Sequence, residues 1–309
     1  MKAFVKIICL TIWIVLAGCQ PKAAPTAAVP PTDAATGGPW KLVYQGQVDQ
    51  PVRMAAFLDE TFGLTGGANN EGRAYYTTDG GQTWTLSEGS SGCLFGLDVL
   101  DKEVVWECNY SDVRPSLDGG KSWGDKARGM GQPGCLVSAA DRTTAWHLTP
   151  SRFEITRDGG ATRSAVKFPE GVSQLKLGAI QLRTADEGYL LDTDGNLYIT
   201  NDGGMTWTKR AYLGLEKYSS FKLWPYKGLP YAAIRFTDAS HGLVVMSLLG
   251  DAKSKIQVLR TADGGQTWAE ETLEGEIGQP YLSHDANYLT ITSMLSINEV
   301  FLYHYSGAQ

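Results

Sequence analysis

The sequence predicts an all-β fold: a six-bladed β-propeller of four-stranded antiparallel blades, in preference to seven blades. Three observations predict it. The pattern Ser/Thr-x-Asp-x-Gly-x-Thr/Ser-Trp recurs at residues 77–84, 116–123, 156–163, 200–207 and 261–268, with Arg163 in place of the third Trp. Self-similarity at a period of roughly 40 residues marks a propeller or a solenoid. A quieter pattern lies upstream of each: an apolar residue, a polar one two positions on, and a small or apolar one four further. It runs through Phe57/Asp59/Gly63, Val99/Asp101/Val105, Ala139/Asp141/Ala145, Leu182/Thr184/Gly188, Phe236/Asp238/Gly242 and Leu282/His284/Tyr288, which makes six units. The sixth unit stops one strand short, while residues 37–44 read like the end of an eight-residue pattern and its following strand. The N-terminal strand therefore completes the last blade and leaves no open sheet edge.

Taken in order, the chain starts with a leader. Met1 to Lys6 is basic, Ile7 to Val15 is apolar and too short for an ordinary span, and Leu16-Ala17-Gly18-Cys19 follows. This segment resembles the lipobox of bacterial lipoproteins. The resemblance implies removal of residues 1–18 and lipid on the thiol and amine of Cys19, a firm anchor where one acyl chain alone binds marginally. It also implies an extracytoplasmic location on a bacterial membrane. Residues 19–38, rich in Ala, Pro and Thr, bury too little to fold and read as a tether. The propeller takes residues 39–309. The net charge of −6 becomes −8 once Lys2 and Lys6 leave with the leader, a diffuse acidic balance that gives no support to nucleic-acid binding.

Strand-like runs at 52–58 and 64–66, or 232–236 and 243–248, flank each quiet pattern. One such unit cannot bury both faces alone, whereas radially packed units can. Of the cysteines, Cys9 leaves with the leader and Cys19 is the lipid site. Cys93, Cys108 and Cys135 remain, and outside the cytoplasm a disulfide is permitted. Cys93 and Cys108 flank a hairpin turn near Asp101-Lys102 and are the expected pair; the alternative is three buried thiols.

In the eight-residue pattern the Gly pair supplies tight-turn backbone, the Asp carboxylate accepts turn N–H groups, and the Trp buries a large ring. The pattern resembles the sialidase-type Asp-box, also called the bacterial neuraminidase repeat. In that family the boxes sit between the third and fourth strands, away from the functional face. The resemblance thus implies structural roles for Asp79, Gly81 and Trp84; Asp118, Gly120 and Trp123; Asp158; Asp202, Gly204 and Trp207; and Asp263, Gly265 and Trp268. Residues 182–207 and 236–268, which join both patterns, look like repeats of the photosystem II stability and assembly factor family. That similarity implies a propeller outside the membrane that binds protein partners, without catalysis or cofactor.

Antiparallel order puts the first-to-second and third-to-fourth turns on one face and the remaining connections on the other. Two insertions, residues 209–231 and 250–255, fall on that second face beside one blade. Interrupting loops commonly carry function, and Trp, Tyr and Arg anchor interfaces. Arg210, Tyr212, Tyr218, Phe221, Trp224 and Tyr226 are the candidate interaction surface; the alternative is a plug of Phe221 and Trp224 folded back over the ring. Residues 192–196 read as a hairpin turn rather than a cation loop. His147, His241, His284 and His304 are scattered without metal-ligand spacing, so no metal site is expected. The rival reading is a surface glycan-binding or sialidase-like glycosidase propeller, with Arg53, Arg183 and Arg235 as carboxylate binders and Glu60, Tyr189 and Asp238 as reacting groups. Val52-Arg53-Met54-Ala55 departs from the Phe/Tyr-Arg-Ile-Pro of sialidases, and the expectation is a protein-binding module, not an enzyme.

Overall fold

The structure, a computed structural model, describes residues 38–48, 52–67, 73–90, 96–124, 135–173, 177–215, 221–223, 225–226, 229–230, 232–250, 254–273, 275, 277–293, 296 and 298–307. Strand β1 (Trp40–Gln47) opens the fold. Blade I holds β2 (Val52–Phe57), β3 (Gly63–Gly67), β4 (Tyr75–Thr77) and β5 (Thr85–Leu86). Blade II holds β6 (Gly96–Val99), β7 (Val105–Cys108) and β8 (Val113–Ser116). Blade III holds β9 (Leu136–Ala139), β10 (Ala145–Thr149), β11 (Arg152–Thr156) and β12 (Ser164–Ala165). Blade IV holds β13 (Leu177–Leu182), β14 (Gly188–Asp192), β15 (Asn196–Thr200) and β16 (Thr208–Tyr212). Three short strands follow: β17 (Phe221–Leu223), β18 (Pro225–Tyr226) and β19 (Leu229–Pro230). Blade V holds β20 (Ala232–Phe236), β21 (Gly242–Gly250), β22 (Ser254–Thr261) and β23 (Ala269–Leu273). Blade VI holds β24 (Gly278–Leu282), β25 (Tyr288–Ser293) and β26 (Glu299–Tyr305).

Six antiparallel blades thus form the ring, and β1 closes it. That strand pairs with β26 from Trp40↔Tyr305 to Gln47↔Glu299, and Ser306 N–H donates to Pro39 O at 2.7 Å. Trp40 is 1% exposed in the core, and the Arg260 guanidinium lies 3.8 Å from the Tyr305 ring centroid. Inner strands are buried on both faces because each blade is sandwiched by two others. Blades IV and V meet through Tyr189 stacked on Phe236 at 4.0 Å. Aromatic packing of this kind contributes about 0.5–1.5 kcal/mol beyond the area it buries.

In blade II the described residues supply three strands, with 125–134 outside them. The cysteine pairing differs from the expected one. Cys108 is bonded to Cys135, not to Cys93, which lies outside the described residues. The register explains the correction. Cys108 stands opposite Gly96, and a Cβ at Gly96 would come within 2.6 Å of the Cys108 sulfur. The sulfur therefore lies across a glycine and reaches the next blade, where Cys135 directly precedes β9. The bond joins blades II and III.

Candidate functional site

The residue just before the apolar mark of each quiet pattern lies near the end of an inner strand and is buried. In blade order these are Ala56, Asp98, Ser138, Gln181, Arg235 and Tyr281. Each polar one bonds the main chain of another blade at the apolar mark itself. Asp98 Oδ2 accepts from Ala139 N–H at 2.8 Å, and Ser138 Oγ from Leu182 N–H at 2.9 Å. Gln181 accepts from Phe236 N–H at 2.6 Å and donates to Phe236 O at 2.9 Å. Arg235 Nη2 donates to Leu282 O at 3.0 Å. Tyr281 Oη accepts from Val99 N–H at 3.0 Å, passing over blade I, where Ala56 has nothing to offer. Phe57 N–H is met by Thr290 Oγ1 instead, at 3.2 Å.

A charged cluster sits inside this ring. Asp98 Oδ1 lies 3.1 Å from Arg235 Nη2, 3.0 Å from His284 Nε2 and 3.3 Å from Tyr281 Oη. Burial pushes the Asp98 carboxyl up, but His284, Arg235 and the Ala139 N–H outweigh it and hold the group well below the usual carboxylate range. Burial and the Asp98 charge push the Tyr281 phenol up, so it stays a neutral hydroxyl. The cavity bounded by Met54, Leu97, Asp98, Ile180, Arg235 and Tyr281 has a volume of about 50 Å³. A pyranose ring needs a pocket several times larger, since ligand sites run to roughly 300–1,000 Å³.

The residues of the glycosidase reading do not converge. Arg53 precedes Phe57 by four positions, Arg235 precedes Phe236 by one, and Arg183 follows Leu182 by one. Arg53 lies near the start of β2 whereas Arg183 follows the end of β13, so the two stand at opposite ends of their inner strands. Arg183 Nε is paired with Glu187 at 2.8 Å, Tyr189 donates to the same carboxylate at 2.7 Å, and Arg235 is consumed by Asp98. Glu60 and Asp238 belong to first-to-second turns, where Asp238 accepts from Ser240 and His241 N–H and sits at about 2.

All five boxes have one geometry. In blade I, Thr77 Oγ1 donates to Asp79 at 2.8 Å and accepts from Gly81 N–H at 2.8 Å, while Asp79 accepts from Thr83 N–H and Oγ1 at 2.9 and 2.6 Å. The first Gly of each box donates across to the first-to-second turn of its own blade, as Gly119 N–H does to Glu103 O at 2.7 Å. The two patterns are therefore halves of one clamp. Trp207 and Trp268 bond Lys167 O and Gly265 O, and Trp123 is buried. Arg163, in place of a Trp, donates to Ser111 O of blade II at 2.7 Å and makes a second inter-blade tie. Asp192 accepts from Asn196 N–H at 2.7 Å with Gly195 at φ 88°, a hairpin turn as expected.

At the opposite mouth the two insertions meet. β17 pairs with β21 at Leu248–Gly250, beyond the stretch that β20 occupies, so the sheet of blade V continues past the ring. β18 and β19 form a hairpin beside β13 of blade IV. Tyr212 ends β16 at this mouth, 52% exposed, with Lys209 Nζ 5.9 Å from its ring. Arg210 points elsewhere: its Nε donates to Gly264 O of blade V at 2.9 Å. Phe221 and Tyr226 lie in β17 and β18 with side chains outside the described set, and Tyr218 and Trp224 fall outside the described residues, as does Cys19. Asp98, Ser138, Gln181 and Tyr281 were missed as a group because they share a position rather than a residue type.

Comparison with known proteins agrees with the repeat. The BNR/Asp-box repeat model matches residues 75–86 and 198–209, the boxes of blades I and IV. The chain carries BNR/Asp-box repeats on a six-bladed propeller. It is 24% identical over 226 residues to the oligoxyloglucan-reducing end-specific xyloglucanase of Emericella nidulans, which covers 64% of this chain but 27% of that protein. Among solved structures, YCF48 bound to D1 peptide covers 87% of this chain and 98% of its own at 16% identity and a TM-score of 0.47. The GH74 xyloglucanase of Xanthomonas campestris covers 86% and 52% at 12% identity and a TM-score of 0.44.

Proposed function

We propose that this chain is a membrane-anchored, extracytoplasmic propeller that binds a protein partner and has no catalytic role. The observation that carries the reading is the growth of blade V beyond the ring, where β17 pairs with the extended end of β21. Chain spent on enlarging one mouth, beside the exposed Tyr212, is chain spent on a surface. The buried charged groups point the same way, because Asp98 and Arg235 are used up in tying blades together. The lipobox-like leader over residues 1–18, the lipid on Cys19 and the tether over 19–38 supply the anchor in this reading.

The test compares the intact chain with one in which residues 216–231 are replaced by a tight loop, both used to capture partners from detergent-solubilised native membranes. A partner held by the first and lost by the second is the expected result. Turnover of xyloglucan oligosaccharides or sialosides by the purified chain would sink the proposal in favour of a glycosidase. Binding on a glycan array without turnover would favour a carbohydrate module instead.

A further inference from the structure

We propose that Cys108, Cys135 and His147 form a site for one thiophilic d¹⁰ cation, Cu⁺ or Zn²⁺, which becomes available when the disulfide is reduced. One ligand atom from each residue lies within 4.8 Å of the other two, and all three residues are buried. They come from three separate places on a rigid frame: the end of β7, the residue before β9, and the middle of β10. Metal–sulfur and metal–nitrogen distances near 2.3 and 2.0 Å place such donors roughly 3.5–4 Å apart, a spacing that rotation at the two sulfurs brings within reach.

His147 keeps one ring nitrogen free to ligate. Its Nε2 lies 2.8 Å from Asn109 O, a pure acceptor, so this nitrogen carries the proton. Nδ1 keeps its lone pair, is buried, and has no hydrogen-bond partner. A ligating histidine commonly has this arrangement, with the other ring nitrogen fixed by a backbone carbonyl. Glu154 Oε2 stands 3.7 Å from Nδ1 and is likewise buried without a hydrogen-bond partner, with Arg152 and Arg163 each 3.9 Å away. The carboxylate stands outside the group of three donors, while two sulfurs and one imidazole suit soft Cu⁺ or fill three of the four Zn²⁺ positions.

The redox step balances. A dithiol reductant gives two electrons and two protons, the S–S bond breaks into two thiols, and the reductant becomes a disulfide. Cation binding then releases the two thiol protons to solvent. The experiment titrates the full chain, oxidised or reduced with a phosphine, with Zn²⁺ and separately with Cu⁺ against chromophoric chelators. Circular dichroism follows the fold throughout. We expect one equivalent bound by the reduced chain beyond that bound by a reduced C108S/C135S variant, and none by the oxidised chain. H147Q should weaken both cations by about tenfold or more. Uptake no greater than that of the double variant overturns the site, as does H147Q binding like the native chain. A fold lost on reduction and not restored by either cation overturns it as well.

Discussion

Asp98 is the residue on which the ring depends most. It is a buried carboxylate with a guanidinium, an imidazole, a phenol and a main-chain N–H around it, each from a different place in the chain. Removing one partner of a buried pair costs more than the pair was worth, because it strands the other charge. Arg235→Met should therefore destabilise the protein by about 3–5 kcal/mol in urea unfolding, and Asp98→Asn/Arg235→Met together by less than the two singles summed. The pH dependence has a definite sign. The folded carboxyl is held below its unfolded value near 3.9, so its stabilisation is complete above that value and drains away as pH falls through the folded one. Unfolding free energies measured between pH 6 and pH 3 should fall in the native protein, with a shallower acid limb in Asp98→Asn. Tyr281→Phe removes the acceptor of Val99 N–H and should cost about 1–3 kcal/mol by the same measurement.

Elements were the most legible level of this sequence. The boxes announced their own hydrogen bonds, since Ser/Thr and Asp two apart, with Gly after, can close only one kind of turn. Box turns tolerate little change at the first Gly. Gly119 has φ 76°, and a Cβ there would meet Lys102 O at 2.5 Å, a backbone atom that cannot swing away. Gly119→Ala should lower stability by about 1–3 kcal/mol. Gly124→Ala, with nothing within 4 Å of the added carbon, should be silent, and thermal melts of the two variants decide the point. Blade VI shows where reading by pattern failed. His284 occupies the polar position, but Asp285 takes over the turn by accepting from Ser283 and Asn287, which frees His284 to reach Asp98. The disulfide was misread for a related reason. Proximity in sequence favoured Cys93, whereas register set Cys108 over Gly96 and sent its sulfur to the neighbouring blade.

For the whole molecule, closure is the property that a sequence of repeats implies but cannot display. The count of six units against five boxes, together with Trp40 after a Gly pair, was enough to infer that the two ends of the chain meet. The ring of inter-blade bonds was not legible, because Asp, Ser, Gln, Arg and Tyr have nothing in common until the backbone places them at one height. Closure carries a last expectation. β1 is held to the ring by one ladder, to β26, and by Trp40 and Tyr44, which are 1% and 7% exposed. Deleting residues 1–37 leaves that ladder whole and should leave the melting temperature of the soluble domain unchanged. Deleting ten more residues removes β1, bares the edge of β26, and takes Trp40 from the seam between blades V and VI and Tyr44 from that between VI and I. A Trp or Phe removed from a core costs about 3–5 kcal/mol, and an exposed edge recruits other chains. The longer deletion should therefore melt well below the shorter one and elute as oligomers on size exclusion, while equal melting of the two would show that the ring holds without its closing strand.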